Sequence, residues 1–258
     1  MIDRNPPFKR VVVSVAGAFG SHGAIRFAAG LARQLELELF GLYLEDTRLL
    51  ELAPLSFLRE FRPLAGGWHS LDTVRLGEEL ETARRMAQRA FTEAAVQLPA
   101  APHFEVVSGT TEQPLAAFSP SGDLLVIGIS APPGFETALA TGQLMNQAFR
   151  SADAVMLLPQ RIVRRAGPVA IIGEAEDDPV FLAASDIAEA LGAHTVLVDL
   201  VKKAGKVEGH AAAAVRTWGS MRERMIVLRH QHGGAMLAQR LAVTRGVPVL
   251  IFDHERVV

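Results

Sequence analysis

The chain has 258 residues, 49% of them hydrophobic and 21% charged, enough to bury one large core or two small ones. Its formal net charge of −2, from 26 Lys and Arg against 28 Asp and Glu, lacks the cationic excess that nucleic acids and anionic membranes attract. Cysteine is absent, which excludes disulfides, thiolate metal sites and cysteine nucleophiles and fits a reducing, cytoplasmic location. Residues 1–10, MIDRNPPFKR, carry no apolar segment after their charges, and no apolar run approaches the roughly 20 residues of a bilayer span. Neither export nor membrane insertion is expected.

In chain order, the first apolar runs are RVVVSVAG (10–17), LELELFGLYLED (35–46), HFEVVSG (103–109), DLLVIGIS (123–130) and DAVMLLP (153–159). Each is short, aliphatic and bounded by Gly, Pro or Asp, which predicts five strands. Helical patterns lie between them: HGAIRFAAGLARQL (22–35), a long stretch over 72–98, EQPLAAF (112–118) and GQLMNQAFRSA (142–152). In the long stretch, Leu80, Ala83, Ala87 and Ala90 or Phe91 make an apolar stripe, and Glu81 with Arg84 or Arg85 suits the solvated face.

A basic connection, QRIVRRAG (160–167), separates this series from a second one. The second contains PVAIIGE (168–174), HTVLVDL (194–200), RMIVLRH (224–230) and VPVLIFD (247–253), with helical patterns over 178–193, 208–221 and 233–246. Strands alternating with helices imply right-handed crossovers and a mostly parallel, doubly covered sheet. The second series repeats the order of the first with one long helix and one strand fewer, so the reading is two α/β units, 1–160 and 168–258, the second abbreviated.

The strand VVVSVAG (11–17) leading into HGAIRFAAGLARQL, the segment DLLVIGIS followed by ATGQLMNQAFRSADAVMLLP (140–159), and the closing strands ADAVMLLP and GVPVLIFD together resemble the universal stress protein family in a tandem form. The resemblance covers essentially the whole chain. It implies an α/β, Rossmann-like fold in each unit, an adenine-nucleotide site using ATP or AMP with Mg2+, a stress-linked regulatory role, and pairing of the final strands near 154–158 and 247–251 in an internal pseudo-dimer that can dimerise again.

The family's phosphate motif, G-2x-G-9x-G-[S/T], is only partly present. The family's acidic residue at the end of the first strand falls on Ala16, which cannot accept a hydrogen bond. Gly128 matches the first glycine of the motif, but the second falls on Ala131, followed by Pro132 and Pro133, and proline offers no N–H to an oxyanion. Gly142 meets the third with one residue inserted; Gln143 takes the hydroxyl position, and Thr141 can partly substitute. The helix start at Gly142 offers free N–H groups and a positive dipole end; equally, Thr141 can simply cap that helix. Gly17 opens the glycine-rich turn GAFGSHG (17–23), whose amides can approach a phosphate, although its spacing fits neither G-x-G-x-x-G nor a P-loop. Ser21 can cap the helix that follows.

In the second series the matching loop, RHQHGGAMLAQ (229–239), is much shorter. Gly233 and Gly234 at a helix start can admit an anion beside His230 or His232. Glu174 stands near the family's acidic position, and the acids of 174–178 would repel phosphate; Asp178 before Pro179 also reads as an ordinary N-cap with proline at N1. His230 and His232 lack further ligands at metal spacing. Neither a G-x-S-x-G elbow nor a Ser/His/Asp arrangement occurs, so no catalytic residue is assigned and the chain reads as a binding protein.

The apolar insertion over 45–72, EDTRLLELAPLSFLREFRPLAGGWHSLD, carries more large aliphatic side chains than one helical face needs, and Pro54 interrupts any single helix. It can cover the sheet, line a ligand cleft or form the surface that meets a protein partner. Two functions follow: a regulator with a degenerate nucleotide site at Gly17, Gly128, Thr141, Gly142 and Gln143, or a ligand-free interaction module on the same fold.

Overall fold

The computed structural model describes residues 8–16, 21–46, 59–62, 66–70, 72–109, 122–129, 148, 152–173, 177–198, 221–230 and 234–252. Its centre is a sheet whose strands are β1 (Arg10–Ala16), β2 (Glu38–Asp46), β5 (His103–Gly109), β6 (Asp123–Ile129), β7 (Ala154–Pro159), β8 (Val169–Ile172), β9 (Thr195–Val198), β10 (Met225–Arg229) and β11 (Val249–Phe252). A separate hairpin pairs β3 (Arg59–Arg62) with β4 (Gly67–Ser70). The helices are α1 (Ser21–Leu35), α2 (Thr73–Ala95), α3 (Pro179–Ala190) and α4 (Gly234–Arg245).

The sheet has the order β5-β2-β1-β6-β7-β11-β10-β8-β9 and is parallel throughout except at β7–β11. There Val249, Leu250, Ile251 and Phe252 face Leu157, Met156, Val155 and Ala154 in antiparallel register. Outward from this seam, each side runs last strand, preceding strand, first strand, second strand; among the described residues β5 has no counterpart beyond β9. The fold is therefore α/β with a mostly parallel sheet, as its alternating pattern predicts.

Alternation within the apolar runs divides the core between the two faces. Val11, Val13 and Val15 of β1, Leu124 and Val126 of β6 and Met156 of β7 pack on one face beneath α1, α2 and α3. Val12, Leu125, Ile127, Val155 and Leu157 pack on the other, where Leu237, Ala238, Leu241 and Ala242 of α4 cover β7 and β11. Because both faces are covered, the central strands read as unbroken apolar runs rather than as alternating ones.

Two sequence expectations need correction. The second strand begins at Glu38, not Leu35, because α1 runs on through Leu35 and ends with Glu36 at φ 57°. The Leu37 N–H donates to the Ala32 carbonyl at 2.8 Å, closing the turn as a left-handed C-cap, so Leu35 and Leu37 belong to the helix and its cap rather than to a strand. Within 45–72, Glu45 and Asp46 end β2 and the segments Arg59–Arg62 and Gly67–Ser70 form the β3–β4 hairpin, with Phe61 and Trp68 paired in register, 56% and 65% exposed and in edge contact at 5.4 Å. Covering the sheet is not what these two aromatic rings do. Leu49, Leu50, Leu52, Leu55, Phe57 and Leu58 lie outside the described residues.

The connection over 160–168 is fastened to the second side of the sheet. Val163 N–H donates to the Gly246 carbonyl at 2.7 Å, and Arg224 N–H to the Pro168 carbonyl at 2.9 Å. Gly167 adopts φ 128°, and a Cβ there would stand 2.0 Å from the Arg222 carbonyl oxygen, so no other residue type fits. Beneath the connection, the Glu223 carboxylate is fully buried and accepts from Arg245 through Nε at 2.7 Å and Nη2 at 2.8 Å, and from Arg164 Nη2 at 3.1 Å. The guanidiniums also donate to backbone: Arg164 to the Glu223 and Arg245 carbonyls, Arg245 to that of Met221.

Candidate functional site

Strand order locates the first candidate. From β1 the chain moves to β2 and β5 on one side and then to β6 and β7 on the other, so the carboxyl ends of β1 and β6 border the switch point where α/β sheets hold ligands. The opposite end of this strand pair is locked: Arg10 faces Asp123 in register and donates to it twice, Nε to Oδ1 at 2.7 Å and Nη2 to Oδ2 at 2.8 Å. Asp123 is 1% exposed, and its hydrogen bonds raise the Arg10 guanidinium above its ordinary range, against the opposing effect of burial. Fixing the amino ends in register fixes what the carboxyl ends present.

At that carboxyl edge Gly128 is exposed between buried Ile127 and Ile129. A strand end without a side chain leaves backbone open to close approach by a ligand. Gly17, Thr141, Gly142 and Gln143 lie outside the described residues, as do Ala131, Pro132 and Pro133. The described structure therefore places Gly128 at the edge.

The equivalent edge of the second side lies between β8 and β10. Asp178 caps α3, accepting the Val180 N–H at 2.8 Å with Pro179 in the first turn, as the sequence predicts. The same Oδ1 accepts from Arg229 Nη2 at the end of β10. A carboxylate of the chain's own thus sits where an anion would meet the helix start, paired with a cation. His230 follows Arg229 and is half-buried, Gly234 opens α4, and Glu174, His232 and Gly233 lie outside the described residues. Among the described residues no group of three or more His, Asp or Glu side chains could hold a metal ion, and no helix is long and apolar enough to cross a membrane.

With this geometry in view, the chain is similar over nearly its whole length to a solved structure of a universal stress protein from Archaeoglobus fulgidus DSM 4304, 9% identical, covering 94% of this chain and 96% of that one with a TM-score of 0.52. The fold is that of a universal stress protein. At such low identity the likeness concerns the fold and not the site. No family model and no curated protein matches the chain.

Sequence reasoning missed three groupings. Arg229 with Asp178 and the Glu223–Arg164–Arg245 cluster join residues far apart in the chain, and only the sheet order brings them together. The Phe61–Trp68 pair left a legible signal: two short polar-aromatic runs around Gly66 and Gly67, the pattern of a hairpin.

Proposed function

We propose that the protein is a stress-linked regulatory binding protein of two tandem universal-stress-like units, 1–160 and 168–258, the second abbreviated. A degenerate adenine-nucleotide site lies at the carboxyl edge of β1 and β6 in the first unit. Its supporting observation is the exposed Gly128 at the switch point of a sheet with the universal stress protein fold. Gly17, Thr141, Gly142 and Gln143 complete the site, the ligand is ATP or AMP with Mg2+, and the role is binding without catalysis, in the cytoplasm. The antiparallel β7–β11 seam supports reading the two units as an internal pseudo-dimer; a further homodimer of the whole chain belongs to the same proposal. The test is calorimetric titration of nucleotide-stripped protein with ATP, ADP and AMP in the presence of magnesium. Micromolar binding that Gly142→Pro abolishes is expected, whereas absence of heat from correctly folded protein would refute the site.

The exposed Phe61–Trp68 pair favours a second reading, a ligand-free module that binds a protein partner through the hairpin. Its expected signature is absence of nucleotide binding together with a partner whose affinity falls at least roughly tenfold in Trp68→Ala, the loss typical of a hot-spot aromatic.

A further inference from the structure

A cavity of about 580 Å³ opens between α1 and the 160–168 connection, at the end of the sheet where β7 finishes and β10 and β11 begin. Its volume is in the range of about 300–1,000 Å³ that small organic ligands occupy. Five arginines line it: Arg26 from α1, Arg161, Arg164 and Arg165 from the connection, and Arg224 ahead of β10. No Asp or Glu is among the described residues that line it. The floor is apolar, with Phe27, Leu31, Leu158, Met225 and Pro248.

The arginines differ in how far the fold employs them. Arg164 is spent on buried Glu223, and Arg224 donates through Nη1 to the Leu191 carbonyl at 2.9 Å, a contact that leaves its charge unneutralised. Arg26, Arg161 and Arg165 are exposed, and none of their side chains makes a hydrogen bond or ion pair with a described residue. Behind the cavity, the Glu223 carboxylate is shared between the Arg164 and Arg245 guanidiniums. In a chain of net charge −2, this is a concentration of guanidinium around a concave apolar floor, and the described residues offer Arg26, Arg161 and Arg165 no carboxylate. Guanidinium forks match phosphate, sulfonate and carboxylate groups bidentately, and like charges gathered in a cleft focus the field on an incoming anion.

We infer that this cavity is a binding site for a small organic polyanion, an apolar or aromatic body no larger than a nucleotide that carries at least two phosphate, sulfonate or carboxylate groups. The anionic groups meet Arg26, Arg161, Arg165 and Arg224, and the body rests on Phe27 and its aliphatic neighbours. The site is distinct from the β1–β6 edge and stands whether or not a nucleotide binds there.

The probes are pyrene-1,3,6,8-tetrasulfonate, followed by its fluorescence, and inorganic pyrophosphate, followed by calorimetry, both with the full-length protein at two salt concentrations. Micromolar tetrasulfonate binding that weakens with salt is expected. The Arg161→Gln/Arg165→Gln variant should lose roughly tenfold or more in affinity, since two charge-assisted contacts go, and neither side chain has a partner among the described residues whose loss would disturb folding. Arg85→Gln/Arg89→Gln on the exposed face of α2 makes the same change in net charge and should bind as the parent does; equal losses in both variants would make the effect one of overall charge and overturn the site. Gly142→Pro should leave tetrasulfonate binding unchanged, and a loss there would place the probe at the β1–β6 edge instead. Pyrophosphate binding as tightly as the tetrasulfonate would overturn the role of the apolar floor. No binding of either probe, or tighter binding of a duplex oligonucleotide, would overturn the inference altogether.

Discussion

Glu223→Ala tests how the second half is held together. The carboxylate is fully buried and accepts three guanidinium hydrogen bonds at 2.7, 2.8 and 3.1 Å, while Arg245, raised above its ordinary range chiefly by its hydrogen bond to Glu223 and against the effect of burial, stays charged at every usable pH. Removing the carboxylate leaves two mostly buried cations facing one another without the carboxylate that joins them, while the backbone carbonyls of Met221, Glu223 and Arg245 still accept from them. Breaking a buried pair in this way costs about 3–5 kcal/mol, a large share of the roughly 5–15 kcal/mol that keeps a typical protein folded. At about 2–4 °C per kcal/mol for a chain of this size, the melting temperature should fall by roughly 6–20 °C. Urea unfolding followed by circular dichroism reads the same quantity. Replacing the cluster together, as Arg164→Met/Glu223→Leu/Arg245→Met, should recover most of the loss, because apolar substitution removes the uncompensated charge. A Glu223→Ala protein within about 1 kcal/mol of the parent would mean that the cluster behaves as a solvated surface pair, and the reasoning would fail.

Three other outcomes follow from particular contacts. Gly41→Ala on β2 puts a Cβ 2.6 Å from Phe104 Cδ2 and 2.8 Å from Phe91 Cε2, so urea unfolding should show a loss of about 1–3 kcal/mol; the loss should shrink when Phe91→Leu opens the space, and strict additivity would contradict the clash. Arg84 and then Arg85 hold the Glu81 carboxyl down at about 2 from an ordinary 4.5. Its stabilising contribution is therefore whole above about pH 4.5 and disappears as pH falls through 2, and carbon-detected NMR titration with a midpoint near 4.5 would show the pairing to be absent in solution. Asp178→Ala removes both the cap of α3 and the partner of Arg229. It should cost at least the roughly 0.5–2 kcal/mol of a cap, while Asp178→Asn, which keeps the cap, should cost less; equal losses would assign the effect to the ion pair alone.

The strands were legible because each is a compact apolar run closed by a breaker, and the buried sheet leaves no competing pattern. The α3 start was equally plain in the Asp178–Pro179 pair. The LELEL run at 35–39 was less clear, since it alternates like a strand while Leu35 and Leu37 in fact close a helix. Of the candidate site residues only Gly128 falls among the described residues, exposed toward the end of the strand that DLLVIGIS predicts. The arginine cavity could not be read from the chain: Arg26 and Arg224 stand about two hundred positions apart, and only the placing of α1 beside the seam brings them to one cleft. QRIVRRAG announced a basic connection, but a run of arginines in a loop is ordinarily solvated, and nothing in the sequence says that Phe27 and Met225 form its floor.

The antiparallel seam also determines which sites can cooperate. Because β7 and β11 run in opposite directions while each side is parallel within itself, the carboxyl edge at β1–β6 and the one at β8–β10 lie at opposite ends of the sheet. One ligand cannot bridge them. At the β8–β10 end, Asp178 already occupies the helix start and Arg229 already neutralises it, so an arriving anion would have to displace the chain's own carboxylate. The cavity beside the end of β7 is the reverse case, with exposed guanidiniums and no acid among its described lining residues. It shares its end of the sheet with the carboxyl edge of β1 and β6. A polyanion held there and a nucleotide at the switch point would repel each other across the same end, so occupancy of either should weaken the other, most at low ionic strength where screening is least.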